Sequence, residues 1–217
     1  MPDIRSFMNG SYIPAVLEAF PDRVEFIGLQ GSFARGEQNP ASDIDTVLIL
    51  DNVVNRDIER YRGVVSSLPQ IPHLCGFFSG RQELLCWDRG ELFSFCLDTV
   101  PYYNDLYSIV SRPTRDDARL CAHSTACAIY HECCHNALYD HDACFLRRTC
   151  KAAVIAIKAD HYADTGVYLS TLSELLAVLK GSHAAVLRAC STPSESDFCS
   201  LIELLLDFSS NLIRKAS

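Results

Sequence analysis

The sequence has no apolar run long enough to span a membrane, no Cys-x-x-Cys, no internal repeat, no low-complexity segment and no cluster of Lys and Arg. Each absence closes off a class. A membrane helix needs roughly 20 consecutive apolar residues, and the opening Met1-Pro2-Asp3-Ile4-Arg5 lacks the apolar core of a signal peptide. A cytoplasmic protein with no membrane partner is therefore expected. Lys and Arg total 19 against 27 Asp and Glu, for a net charge of −8. A nucleic-acid binder usually shows a basic face, so no nucleic-acid partner is expected, and an acidic surface instead suits small cationic partners. Cysteine, by contrast, is abundant: 11 residues, scattered apart from the Cys133-Cys134 pair. In a cytosolic chain these are expected to be reduced and buried as small hydrophobes.

The remaining composition is globular, with 48% hydrophobic and 21% charged residues over 217 positions, enough for one sizeable core or two small domains. Apolar residues at Phe7, Ile13, Val16, Leu17 and Phe20 predict a helix over 6–20. Strands are predicted at 24–29, 46–50 and 74–78, and at 91–100 with Phe93, Phe95 and Leu97 on one face. Asn55 is placed to cap a helix through Ile58, Tyr61, Val64 and Val65, ended by Pro69 and Pro72, and residues 80–87 read as a turn of helix. From Thr114 the texture changes to long Ala- or Leu-rich helical patterns at 115–139, 143–164, 171–179 and 194–214. Thr171 with Glu174 fits a capping box, Ser194 with Asp197 a weaker one, and Gly166 and Gly181 stop two helices. The fold class expected is α+β: an α/β domain with a mixed sheet at 1–112, then a helical bundle at 113–217.

Function concentrates in residues 30–50. Gln30-Gly31-Ser32-Phe33-Ala34-Arg35-Gly36 follows one predicted strand, and Ser42-Asp43-Ile44-Asp45 leads into the next. Alternate residues of a strand share a face, so Asp43 and Asp45 point the same way. Two carboxylates that close repel unless a cation sits between them, and Mg²⁺ takes one or two protein carboxylates with water and substrate phosphate. A turn holding Gly31 and Ser32 offers N–H groups and a hydroxyl to phosphate oxygens. Metal and phosphate cradle together suit phosphoryl or nucleotidyl transfer.

The block Gly31, Ser32, Arg35, Gly36, Ser42, Asp43 and Asp45 resembles the signature of the nucleotidyltransferase superfamily whose catalytic domain is similar to the palm of DNA polymerase beta. The Gly-Ser-x-Ala-Arg-Gly form is most similar to small bacterial antibiotic nucleotidyltransferases of aminoglycoside or lincosamide type. That resemblance implies a Mg²⁺-dependent enzyme, with two ions on Asp43 and Asp45. It implies transfer of a nucleoside monophosphate, with AMP from ATP expected first, to a hydroxyl of a small molecule. Gly31, Ser32, Arg35 and Ser42 would belong to the nucleotide site. The family usually adds a third acid from a neighbouring strand, for which Glu91 and Asp98 are the candidates; their opposite parity keeps both from facing one site, and Glu91 is preferred. A basic residue of the helical half often contacts the triphosphate, and among Arg147, Arg148, Lys151 and Lys158 the choice is Lys151. A homodimer is compatible with this reading. So is an antitoxin-like member acting on a protein partner.

One motif points elsewhere. His131-Glu132-Cys133-Cys134-His135 has the spacing of a zinc-protease helix, with both histidines on one face and Glu132 as potential base. A zinc hydrolase would need a third ligand, and Asp140, His141 and Asp142 follow too closely for the usual longer-range one.

Overall fold

A computed structural model describes residues 3–68, 74–191 and 198–215. It divides into two compact units, Met1–Trp87 with Asp98–Arg112, and Asp88–Leu97 with Pro113–Ser217.

In the first unit a helical run, α1 (Ile4–Phe7), a π-helical turn at Met8–Tyr12 and α2 (Ile13–Ala19), precedes β1 (Val24–Gln30). A short helix α3 (Gly31–Arg35) leads to β2 (Ile44–Leu50), then α4 (Asn55–Ser67), β3 (Leu74–Gly80), α5 (Arg81–Leu85) and, after the excursion at Asp88–Leu97, β4 (Val100–Tyr103). The sheet order is β3-β2-β1-β4: β2 and β3 run parallel, while β1 is antiparallel to both its neighbours. The sheet is thus mixed, as expected.

β2 is central, and every residue from Thr46 to Leu50 is buried, which is why its apolar run is unbroken rather than alternating. One face packs Ile44, Leu48 and Leu50 with Ile27 and Leu29 against Tyr12, Val16, Phe20 and Val64 of the flanking helices. On that face the Thr46 hydroxyl would be an unpaired polar group in the core. It donates to the Cys75 carbonyl at 3.2 Å and accepts from the Tyr12 hydroxyl at 3.1 Å, while the Tyr12 and Tyr61 hydroxyls lie 2.6 Å apart. Burial pushes the Tyr12 phenol well up and the Tyr61 phenol up, so both stay neutral donors. At the opposite end of β1 and β2, the Arg23 guanidinium binds Asp51, Asn52 and Asp57. Asp57 also accepts the Val54 N–H at 3.0 Å, so the start of α4 is capped from Asp57, and Asn55, expected as the cap, is its first helical residue. Pro69 and Pro72, expected to end that helix, lie outside the described residues.

The predicted strand over 91–100 is a helix, α6 (Arg89–Asp98), followed by the short β4. Phe93, Phe95 and Leu97 alternate like a strand, but the buried positions are Gly90, Leu92, Phe93 and Cys96, a helical spacing. The start signal is Asp88, whose carboxylate accepts the Glu91 N–H at 3.0 Å, as an N-cap residue does.

The second unit holds Asp88 and residues Arg89–Leu97 of α6 with α7 (Arg115–His135), a π-helical extension at Asn136–Asp140, α8 (Ala143–Thr165), α9 (Leu172–Val178), α10 (Gly181–Ser191) and α11 (Phe198–Lys215). Its core runs through Ala126, Ile129, Cys133, Ala153, Ile157, Leu187, Leu205 and Phe208. The α10 helix was not anticipated; Gly181, read as a stop, is its first residue at φ 64°. Thr171 and Glu174 form the expected capping box, whereas Ser194 and Asp197 lie outside the described residues. Two ion-pair knots tie this unit. Arg89 grips Asp117 at 2.7 and 3.0 Å while Asp117 accepts the N–H of Thr114, the N-cap of α7, at 2.7 Å. Asp160 takes His183 at 3.1 Å and Lys215 at 2.7 Å. All described cysteines are free thiols; Cys96, Cys121, Cys133 and Cys150 are buried as expected, but Cys75, Cys86, Cys127 and Cys199 are exposed. Among the described residues no helix is long and apolar enough to cross a membrane.

Candidate active site

Strand pairing in the first unit brings its chemistry-bearing residues to one end of the sheet. Gln30, the last residue of β1, pairs with Asp45 of β2, and Asp45 pairs in turn with Cys75 of β3. On the other side Leu29 pairs with Val100, and the Gln30 amide donates to the Thr99 hydroxyl at 2.7 Å. The end of the sheet is therefore assembled from Gly31, the Ser42–Asp45 approach, Cys75 and the Asp98–Thr99 approach. Asp45 on β2 and Val100 on β4 flank β1 from either side, and Asp98 ends the helix two residues before Val100.

Gly31 has φ 70°, a conformation open to glycine without strain. A Cβ there would meet the Asp45 carboxylate at 1.9 Å from Oδ2. The Asp45 side chain thus lies across the backbone at Gly31, a close approach that only a missing side chain permits. Asp45 is half-buried, Asp43 just before the strand is exposed, and Ser42 and Ser32 are half-buried. The Gly31–Arg35 helix is closed by Gly36 at φ 71°, whose N–H returns to the Ser32 carbonyl. Arg35 pairs with Glu37 at 2.9 Å, so its charge is held at the rim of the loop. Ser42 stabilises the same loop, accepting the Asn39 N–H through its hydroxyl at 2.9 Å.

The two candidates for a third acid have separated. Asp98 ends α6 within the first unit, half-buried; Glu91 lies in the first turn of α6, exposed and in the second unit. The parity argument, which kept both from facing one site, required a strand that the chain does not form. Lys151 is exposed on α8; the Arg147 side chain lies outside the described residues, and Arg148 lies over its own helix's Phe145 ring at 5.3 Å. The lysine that α8 buries is Lys158, 5% exposed, with its ammonium 5.4 Å from the Tyr168 ring centre. Helical periodicity could have singled it out, since Val154, Ile155 and Tyr162 lie three or four residues away on the same face.

His131 and His135 are both exposed on α7, with ring centres 6.3 Å apart, and His135 Nδ1 lies 3.1 Å from Asp140. Among the described residues, no group of three or more His, Cys, Asp and Glu is arranged to hold a metal ion.

Residues 11–104 match the family model described as "Nucleotidyltransferase domain". That segment contains Gly31, Ser32, Asp43 and Asp45, the residues that carry the resemblance, and supplies the sheet. No curated protein sequence matches the chain. Among solved structures, the chain is similar in fold to the spectinomycin adenyltransferase AAD(9) from Enterococcus faecialis, solved with ATP and spectinomycin. The TM-score is 0.61 at 12% identity, covering 97% of this chain and 99% of that one. The α+β fold, a mixed sheet followed by helices, is thus shared with that structure.

Proposed function

We propose that the protein transfers a nucleoside monophosphate, AMP from ATP in the first instance, to a hydroxyl of a small cationic molecule of the aminoglycoside-like antibiotic class. The observation that carries this reading is the close approach of Gly31 to the Asp45 carboxylate at the end of a nucleotidyltransferase sheet. A Cβ would fill the space that the carboxylate occupies, so the glycine and the acid are built for each other. The donor set, two carboxylates beside a serine loop, fits Mg²⁺. Asp43 and Asp45 would hold it, and the metal would neutralise the triphosphate and the charge that develops during in-line displacement. Gly31 and Ser32 would donate N–H and hydroxyl hydrogens to phosphate oxygens. Arg35 and Ser42 would hold that loop in shape, and exposed Lys151 is the candidate triphosphate contact from the helical unit. A triphosphate co-substrate also suits a cytoplasmic location.

We assign the base that takes the acceptor proton to Asp98 in preference to Glu91. Asp98 belongs to the same unit as Asp45 and immediately precedes Thr99, whose hydroxyl is bonded by Gln30, the residue paired with Asp45; a carboxylate there is a candidate general base.

The test is a screen of antibiotics and other hydroxylated amines for label transfer from each α-labelled triphosphate, with the Asp43→Asn, Asp45→Asn double variant as control. Transfer by wild type and its loss in a normally folded double variant is the expected result; undiminished transfer by that variant refutes the reading. With an acceptor in hand, Asp98→Asn is expected to lower kcat by 10²-fold or more, in the range general-base catalysis supplies, and Glu91→Gln to change it little. The reverse order would return the role to Glu91.

A further inference from the structure

The face of α7 carries a row of metal-binding side chains that the transfer reaction does not use. His123, Cys127, His131 and His135 recur every four residues, so each stacks over the next along the helix. His123 Nε2 and Cys127 Sγ lie 3.9 Å apart, with Cys127 exposed and His123 half-buried. In a tetrahedral zinc site, Zn–N of about 2.0 Å and Zn–S of about 2.3 Å put the two ligand atoms about 3.6 Å apart. The observed separation is thus a few tenths of an ångström wider than a chelate, within reach of a small side-chain rotation. Further along, Asp140 lies against Nδ1 of His135 at 3.1 Å. A carboxylate accepting from Nδ1 sets the tautomer in which Nε2 keeps its lone pair, the arrangement common behind metal-bound histidines.

We propose that this face of α7 binds a borderline divalent cation of the Zn²⁺ type, with His123 and Cys127 as the tighter two-donor chelate and His131 and His135 as a weaker neighbouring pair. Two protein donors leave the rest of the shell to water, so this is a surface cation site and differs from the three-ligand centre of a zinc hydrolase. The thiolate is the softer donor, which ranks the His123–Cys127 pair first and favours Zn²⁺ or Cd²⁺ over Mg²⁺.

The experiment is calorimetric titration of the full-length protein with Zn²⁺, repeated in a background of Asp43→Asn and Asp45→Asn so that those carboxylates do not compete. Cd²⁺ titration followed by its ultraviolet thiolate band reports sulfur ligation. Cys127→Ser and His123→Ala are expected to weaken the tighter event at least tenfold and to diminish the band. His131→Ala with His135→Ala should leave that event in place and remove the weaker one. Cys127, His131 and His135 are exposed and His123 is half-buried, and unchanged circular dichroism will show that the variants fold. Saturable uptake that Cys127→Ser leaves unchanged, or no saturable uptake at all, overturns the proposal.

Discussion

Replacing Gly31 by alanine separates backbone strain from damage to the carboxylate, because the chain supplies its own control. Gly31 and Gly36 have nearly the same backbone conformation, φ 70° and 71°. A Cβ at Gly36 would meet nothing within 4 Å, whereas one at Gly31 would sit 1.9 Å from Asp45 Oδ2 and 2.9 Å from its Cγ. Holding a non-glycine residue in the left-handed region costs about 1–2 kcal/mol, and this cost falls on both variants alike. For a unit of this size, each kcal/mol lowers Tm by about 4–8 °C. Only Gly31→Ala must also move the Asp45 carboxylate, by an ångström or more if the contact is to relax. Displacement of a catalytic group on that scale costs about 10²-fold in rate. The assays are thermal denaturation, calorimetric binding of MgATP and label transfer to whichever acceptor the screen identifies. Gly36→Ala should show the Tm loss with binding and turnover largely retained; Gly31→Ala should show at least that Tm loss together with weakened MgATP binding and turnover reduced about 10²-fold. Equal loss of activity in the two variants, or full activity in Gly31→Ala, would refute the inference that the missing side chain makes room for the acid.

The hydroxyl cluster behind β2 offers a purely structural test: Thr46→Val removes the bond to Tyr12 and leaves buried polar groups short of a partner, so denaturation should show a loss of about 1–3 kcal/mol. The helical unit should be acid-sensitive. At Asp160 burial pushes the carboxyl pKa up, but the bonds from His183 and Lys215 outweigh it and hold it below the ordinary value. A carboxylate with a lowered folded pKa contributes stability that is present above its unfolded pKa, about 3.9, and is lost as pH falls through the folded value. Stability measured by denaturant titration from pH 6 downward should therefore fall below about pH 4, and Asp160→Asn should lower the plateau and flatten that fall; an unchanged slope would show that Asp160 is not the group responsible.

The local chemistry of the loop from Gly31 to Asp45 was legible in the sequence because it depends on residue type and near spacing. Glycine before serine, and two acids two apart at the head of an apolar run, need no distant partner to be recognised. The three long strand segments and the long helices were equally visible, since each carries its own period. The segment 91–100 was not. Phe93, Phe95 and Leu97 alternate, and a run that short fits a strand or a helix until something buries one face. Here Phe93 packs with Ala118, Ala122 and Ala159 of the second unit, a contact between residues far apart in the chain. The short α10 helix was missed for a related reason, since Gly181 at its head reads as a stop until the following residues are packed.

Sequence alone pointed to the class of chemistry proposed, because two neighbouring acids and a glycine-serine turn constrain it locally. Tertiary structure decided which candidate residues share one end of the sheet. Strand pairing carried Asp98 to the sheet end that holds Asp45, while the helix it terminates carried Glu91 into the other unit. Register and strand order are products of long-range burial, and no spacing along a single segment encodes them.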